Sequence, residues 1–236
     1  ELKETNIIQE RDEIISFISE ACGINDRTEI NINSTIPVGR GLGSSAALSI
    51  AIARAKKLTN IREIADKCEK FIHGNPSGID VNQVLSDTPL LFSKKDGAIP
   101  LDFNLDSYLL IIDTGVIGIT KETLKHIKQN FENYKSYIDE LGKITEKVIE
   151  PLKKKAIEIV GAYMYKAHDL LQKLGVSHES NDDVVNICKN NGALGAKLTG
   201  GGAGGCCIAL SKTKENAEKI QNELAKKGYK SWIVTV

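Results

Sequence analysis

The sequence predicts an α+β fold in two parts, divided near residue 104. Some segments place apolar residues at helical spacing, others form short alternating or continuous apolar runs, and the two kinds follow one another in mixed order. The chain has 236 residues, of which 41% are hydrophobic and 26% charged. That length suffices for one large domain or two small ones, and the sequence contains no internal repeat or low-complexity linker.

The first part is predicted to contain three helices and at least one strand. Residues 11–22 carry apolar side chains at helical spacing, and Gly23 follows as a stop. The alternating segment 28–33 (TEININ) is typical of a strand. A glycine-rich turn then leads into a small apolar helix that begins near Ser44, and residues 61–74 form the next helix.

The second part is predicted to be richer in strands. Apolar runs bounded by turn residues indicate strands, whereas the long polar, lysine-rich stretch at 120–175 indicates two or three helices. A short strand at PLLFS (89–93) is predicted before the division. The strands predicted after it are SYLLIIDTG (107–115), the end of AKLTGGGAGGCCIAL (196–210) and YKSWIVTV (229–236), and further helices are predicted at 182–192 and 213–228.

Charge and cysteine content exclude several classes of function. The formal net charge is zero and no basic stripe is visible, so we expect neither nucleic-acid nor membrane-surface binding. No apolar run reaches the roughly 18 residues that a membrane span requires. The five cysteines are odd in number and lack CxxC spacing, which indicates small core residues of a reduced, cytoplasmic protein.

The start of the sequence carries an expectation of its own. The chain opens with ELKETNIIQE, and its single methionine is Met164. Translated proteins normally begin with methionine, so we expect the gene product to include residues before Glu1.

The first glycine-rich loop, at residues 39–45, precedes a predicted helix. Backbone amides at a helix N-terminus have no intrahelical partner and carry partial positive charge, so such a site suits a phosphate. The loop lacks the P-loop pattern, the dinucleotide pattern and the hydrolase elbow. Taken alone, it is better explained by a structural turn with a serine cap.

Two further features change that balance. The loop TGGGAGG (199–205) has five glycines in seven residues, a density that favours close backbone approach to a ligand over an ordinary turn. Glu69 alone would be a solvated charge and Asp80 alone a turn or cap residue. Two phosphate-type loops with this acidic pair between them point to metal-assisted phosphoryl transfer.

Four segments carry a resemblance to the GHMP kinases, the family named for galactokinase, homoserine kinase, mevalonate kinase and phosphomevalonate kinase. PVGRGLGSSAA (37–47) resembles the family's second motif and KLTGGGAGGC (197–206) its third. EKFIHGNPSGID (69–80) and IIDTGVIGITKETL (111–124) resemble the mevalonate kinase branch, particularly its bacterial members. The similarity runs, in order, over essentially the whole chain.

The resemblance implies a fold of two domains. Residues 1–104 would form the GHMP kinase N-terminal domain, truncated at its start and similar to ribosomal protein S5 domain 2. Residues 105–236 would form the C-terminal domain, ferredoxin-like with extra helices.

It also implies a nucleotide site and a metal site. Mg²⁺ would be bound by Ser45 and Glu69, with ATP as co-substrate. The residues implied to bind ATP are Pro37, Gly39, Gly41, Leu42, Gly43, Ser44, Ser45 and Ala46.

The implied reaction is ATP-dependent phosphorylation of the primary hydroxyl of mevalonate to 5-phosphomevalonate, a step of isoprenoid biosynthesis. Asp80 would accept the proton of that hydroxyl, and the GNPSG turn would hold it near the γ-phosphate. The residues implied to contact mevalonate are His73, Asp80, Thr120, Gly200, Gly201 and Gly202, although His73 is equally explained by a structural role. Family members often form dimers, so a homodimer is an open alternative to a monomer.

Two departures from the family pattern keep alternatives open. The family's first motif, with its lysine near the catalytic aspartate, has no counterpart in this sequence, and the stretch between Ser45 and Glu69 is several residues short. Another GHMP kinase, acting on phosphomevalonate or a related alcohol, is one alternative. A non-catalytic nucleotide-binding fragment is the other.

Overall fold

The computed structural model describes residues 2–25, 28–118, 125 and 127–236. The chain divides into two compact units. The first unit comprises Glu1–Val38 and Gly43–Asp102, and the second comprises Gly39–Leu42 and Phe103–Val236. The chain therefore enters the second unit for four residues within the first glycine-rich loop. The domain boundary at residue 104 stays a prediction.

The first unit is built from helices and one hairpin. Its elements are α1 (Leu2–Ala21), α2 (Ser44–Ala55), α3 (Ile61–His73), α4 (Ile79–Val84), β1 (Leu90–Ser93) and β2 (Gly97–Pro100), with β1 and β2 antiparallel. Gly23 follows α1 with a left-handed backbone, as expected for a helix stop. The helix start at Ser44 and the helix at 61–73 confirm two predictions.

Two apolar clusters hold the helices of the first unit together. Ile18 of α1, Ala53 of α2 and Cys68 of α3 lie in one of them, and each is buried. Ile50 of α2, Ala65 of α3 and Val81 of α4 lie in the other. Because α2 contributes to both clusters, it is fixed against α3 on one side and α4 on another, which determines where its N-terminus points.

The strand predicted at 28–33 is wrong. Residues 28–35 adopt no regular structure and are mostly exposed, with Ile32 46% exposed. Alternation marks a half-buried pleated surface, but a strand forms only where a neighbouring strand accepts its hydrogen bonds. No strand of the described residues pairs with this segment.

The second unit contains a four-stranded antiparallel sheet in the order β4-β5-β3-β6. Its elements are β3 (Tyr108–Asp113), α5 (Phe131–Lys147), α6 (Ile149–Lys153), α7 (Ile157–Lys173), α8 (Glu179–Asn190), β4 (Gly195–Leu198), β5 (Cys206–Ser211), α9 (Lys214–Lys226) and β6 (Lys230–Thr235). This order is the split β-α-β of ferredoxin-like folds, with extra helices between β3 and β4. The ferredoxin-like prediction is confirmed.

The core of the second unit lies between the sheet and helices α8 and α9. Leu110 and Ile112 of β3 alternate inward and meet Val184 of α8 and Ile220 of α9. All five cysteines are buried and free, as predicted. Burial raises the pKa of the Cys188, Cys206 and Cys207 thiols to about 12, so these side chains stay protonated and act as small apolar groups.

None of the described helices combines the length and the apolar character needed to cross a membrane.

Candidate active site

Helix α2 begins without a side-chain cap. Its N-cap residue is Gly43, in the left-handed region at φ 65°, and the first turn holds no acidic residue. The serine cap considered as an alternative is therefore absent, because the N-cap is Gly43, which has no side chain to accept from the first amides. Those amides are free to bind an anion, and the helix dipole favours one.

Ser45 and Glu69 meet where α2 packs against α3. Ser45 Oγ donates to Glu69 Oε1 at 2.5 Å, and His73 Nε2 lies 3.4 Å from Ser45 Oγ and 3.6 Å from Glu69 Oε2. Glu69 is only 3% exposed, so the interpretation of this residue as a solvated charge is wrong. A buried carboxylate is costly unless it is bound to a partner, which makes Glu69 a candidate for a cation ligand.

Asp80 lies in the first turn of α4 and is half-buried. The turn before it is braced by Ser77, whose Oγ accepts from Ile79 N at 3.3 Å, and by Asn82, whose Nδ2 donates to Gly78 O at 2.8 Å. Burial raises the pKa of the Asp80 carboxyl, and the nearby His73 partly opposes the shift. A stronger base than an exposed aspartate results.

The Asp80 carboxyl also lies beside the start of α2. A Cβ added to Gly43 would stand 3.5 Å from Asp80 Cγ, which is ordinary contact distance. The first unit thus brings Ser45, Glu69, His73 and Asp80 to the N-terminus of one helix. Of the sequence-predicted ATP residues, Ala46 is fully buried there.

The oxygen pair of Ser45 and Glu69 fits Mg²⁺. This ion prefers oxygen ligands and is usually bound by one or two protein groups, with phosphates and water supplying the rest. The described residues contain no cluster of three His, Cys, Asp or Glu side chains that could hold a metal alone. The site is therefore suited to a cation that arrives with a phosphate.

The segment 39–42 is bound tightly within the second unit. Arg40 Nε contacts Asp113 Oδ1 at 3.0 Å and Arg40 Nη2 donates to Gly115 O at 3.0 Å, while Arg40 O accepts from Cys206 N at 3.0 Å. Gly41 lies against Gly200 so closely that a Cβ on Gly200 would stand 2.7 Å from Gly41 Cα. The two glycine-rich motifs therefore touch backbone to backbone.

The glycines of the loop 199–205 are used mainly to approach protein backbone. Besides Gly200, Gly202 adopts φ +78°, and a Cβ there would stand 2.2 Å from Val176 O. The prediction that this density serves approach to a ligand thus misses its main structural cause. A substrate role for Gly200, Gly201 and Gly202 stays a prediction, and Thr120 lies outside the described residues.

Two features of the site were missed by sequence reasoning. The ion pair of Arg40 with Asp113 joins residues 73 positions apart, and only the Asp-Thr-Gly ending of the predicted strand hinted at a role for Asp113. Asn181, which contacts the loop 199–205 from α8, follows Glu179 and Ser180 in a polar run typical of a solvated helix start. Nothing in its local pattern singles it out.

Comparison with known proteins assigns the chain to a family. Residues 6–86 match the GHMP kinases N terminal domain and residues 148–230 match the GHMP kinases C terminal domain. A mevalonate kinase of Thermococcus sibiricus is 32% identical over 228 residues, which cover 86% of this chain and 68% of that protein. The chain belongs to the GHMP kinase family.

Solved structures of GHMP kinases agree with this assignment. The mevalonate kinase of Methanococcus jannaschii superposes with a TM-score of 0.75 at 27% identity, covering 94% of this chain and 74% of that one. The L. major mevalonate kinase, solved in complex with R-mevalonate, shares the fold with a TM-score of 0.78 at 24% identity, covering 98% of this chain and 78% of that one. The predicted GHMP kinase fold is confirmed.

Proposed function

We propose that this GHMP kinase phosphorylates the primary hydroxyl of mevalonate with ATP and releases 5-phosphomevalonate and ADP. The observation that carries the proposal is the grouping of Ser45, Glu69 and Asp80 at the uncapped start of α2, in a chain 32% identical to mevalonate kinases. Phosphoryl transfer needs positioning and charge neutralisation more than covalent help, and this grouping supplies both.

Each residue has a distinct part in the proposed reaction. The free amides of α2 bind the phosphates of ATP. Ser45 Oγ and Glu69 Oε1 would hold Mg²⁺, which neutralises phosphate charge. Asp80 orients the mevalonate hydroxyl and takes its proton as the bond from that oxygen to the γ-phosphorus forms and the bond from phosphorus to the β-phosphate oxygen breaks. The raised pKa of Asp80 favours this late transfer.

A phosphorylated acceptor is the less favoured alternative. It would require a free cation to bind the second phosphate, and Arg40 and Lys197 are the cations within the glycine-rich motifs. Arg40 is paired with Asp113. Lys197 is half-buried, its Nζ donates to Leu198 O at 2.6 Å, and desolvation lowers its pKa. Both side chains are bound within the protein, although Arg40 Nη1 has no hydrogen-bond partner among the described residues, and this supports an acceptor without a phosphate.

The state of the cysteines supports a cellular location. We place the protein in the cytoplasm, since five buried free thiols fit a reducing compartment. Its partners are ATP and mevalonate, and whether it forms a homodimer stays a prediction.

A coupled ADP-release assay tests the proposed function. The chain is supplied with ATP, Mg²⁺ and one acceptor, either mevalonate, phosphomevalonate, homoserine or galactose. We expect release with mevalonate, and we expect Asp80→Asn to lower kcat by roughly a hundredfold or more, because the proton then lacks its acceptor. Asp66→Asn makes the same charge change at an exposed position of α3 and serves as the control.

The outcomes separate the alternatives. Release with phosphomevalonate alone would move the protein to another branch of the family. ATP binding without ADP release for any acceptor would favour a non-catalytic nucleotide-binding protein. If Asp80→Asn binds ATP normally and keeps most of the activity, Asp80 is not the proton acceptor.

A further inference from the structure

The first turn of α8 contacts the loop 199–205 near its end and is connected through His168 to Leu198, the residue before the loop. Asn181 contacts Gly204 near the end of the loop. Asp182, the next residue, lies 3.2 Å from Nε2 of the buried His168, whose Nδ1 accepts from Leu198 N at 3.4 Å just before the loop. Two adjacent side chains of one helix turn are therefore connected to the two ends of the loop.

The contact of Asn181 with Gly204 is bidentate. Asn181 Nδ2 donates to Gly204 O at 3.0 Å, and Gly204 N donates to Asn181 Oδ1 at 3.0 Å. Asn181 is fully buried, and a buried amide is retained at low cost only when its polar atoms are bound. The pair of bonds fixes both the position and the orientation of Gly204, because a single bond would still allow rotation.

Helix capping explains only part of this arrangement. Asn181 Oδ1 also accepts from His178 N at 3.1 Å, while His178 Nδ1 accepts from Ser180 N at 3.1 Å, which together cap α8. A cap uses the acceptor oxygen alone. The Nδ2 hydrogens are directed at Gly204 O and at Cys207 Sγ, 3.4 Å away, and contribute nothing to the helix end.

Contacts continue from Gly204 to the first glycine-rich loop. Gly205 O accepts from Thr114 Oγ1 at 2.6 Å, and Cys206 N donates to Arg40 O at 3.0 Å. At the other side of the loop, Gly200 lies against Gly41. A rotation at Gly204 would therefore disturb residues 40 and 41, directly before the predicted phosphate-binding start of α2.

We propose that Asn181 is a positioning residue, whose amide hydrogens fix Gly204 and thereby hold the loop 199–205 against residues 40 and 41 of the first glycine-rich loop in the conformation required for turnover. The expected effect on kcat rests on the proposed function. The structural part of the inference, the conformation of the loop, is independent of which acceptor is phosphorylated.

Two substitutions separate the positioning role from capping. Asn181→Asp keeps the acceptor oxygen that caps α8 and removes the amide hydrogens, and at alkaline pH the ionised carboxylate cannot donate to Gly204 O. His178→Ala removes the capping side chain and leaves the contacts between Asn181 and Gly204 in place. Asn181→Leu has a similar volume without charge or hydrogen bonds, and decides the question if Asn181→Asp does not fold.

Four quantities are measured for each variant: kcat, the KM for ATP, the thermal unfolding midpoint, and the amide hydrogen exchange of peptides that cover residues 199–206. We expect Asn181→Asp to lose roughly tenfold or more in kcat, since small misplacements are costly in catalysis, with faster exchange in the loop. His178→Ala should lower the unfolding midpoint while kcat and loop exchange stay at the wild-type value.

The inference is overturned if the folded Asn181 variants have the same kcat and the same rate of loop exchange as folded His178→Ala. If the wild-type chain releases no ADP with any acceptor, the proposed function fails, and loop exchange alone decides. Faster exchange only in the Asn181 variants then supports the positioning of Gly204, and equal exchange in all variants refutes it.

Discussion

Gly43 in the first glycine-rich loop differs from Gly200 and Gly202 in the second in the space around its missing Cβ. A Cβ added at Gly43 would lie at ordinary contact distance from the Asp80 side chain, and the Ser45 hydroxyl, the Glu69 carboxylate and the His73 imidazole lie near this helix start. At Gly200 and Gly202 the missing Cβ lets backbone approach backbone, where any added carbon would stand 2.2 to 2.7 Å from another atom. Similar sequence signals therefore mark the proposed site of chemistry in the first unit and close backbone packing in the second.

The largest expected effect is that of Gly202→Ala. The new Cβ would collide with Val176 O and require φ +78° from a residue that avoids it. We expect the free energy of unfolding to fall by about 3 kcal/mol or more, measured by urea denaturation. Gly228→Ala is a suitable control, because it has a similar φ of +84° with nothing within 4 Å. Equal losses for both variants would assign the effect to φ alone.

A smaller loss is expected for Gly43→Ala. The space at this position accepts a methyl group, so only the left-handed φ of 65° opposes the change. We expect the free energy of unfolding to fall by about 1 kcal/mol. A loss as large as that of Gly202→Ala would contradict the distinction between the two loops.

Glu69→Gln tests the chemical side of the comparison. The substitution keeps the shape of the side chain and removes the charge that would hold Mg²⁺ next to Ser45. We expect the Mg²⁺ concentration at half-maximal rate to rise roughly tenfold or more. Substituting a residue that only supports a metal ligand already weakens metal binding by about that factor. Glu63→Gln, exposed on α3 and paired with Lys67, is the control. An unchanged Mg²⁺ titration would remove Glu69 from the metal site.

The smallest expected effect concerns the stability cost of Asp80. Because its pKa is raised in the folded protein, the folded state binds the proton more tightly than the unfolded state, and stability falls as pH rises through the range between the two pKa values. In the absence of Mg²⁺ and ATP, Asp80→Asn should therefore raise the thermal midpoint slightly at neutral pH. The difference should vanish in acid, below both pKa values, and a lower midpoint at neutral pH would contradict the assignment.

Local patterns predicted the elements whose causes are local. Helix α2 begins at Ser44 as expected, because Gly43 ends the preceding turn and an apolar stripe follows. The segment 28–33 alternates like a strand, yet alternation cannot reveal whether a partner strand is present. Glu69 and Asp80 were selected from the sequence because this acidic pair lies between two glycine-rich loops, and the structure places both near the start of α2. Asn181 was missed because its partner is 23 positions away in sequence.

The brief passage of the chain through the second unit at Gly39–Leu42 limits how the protein can be divided or recombined. A fragment of residues 103–236 would lose Arg40, and with it the acceptor for Cys206 N and the counter-ion of Asp113. A fragment of residues 1–102 would carry a four-residue segment stripped of its contacts. Neither half is a transferable module, so an exchange of domains with a relative preserves both halves only if this short segment is taken from the same parent as residues 103–236.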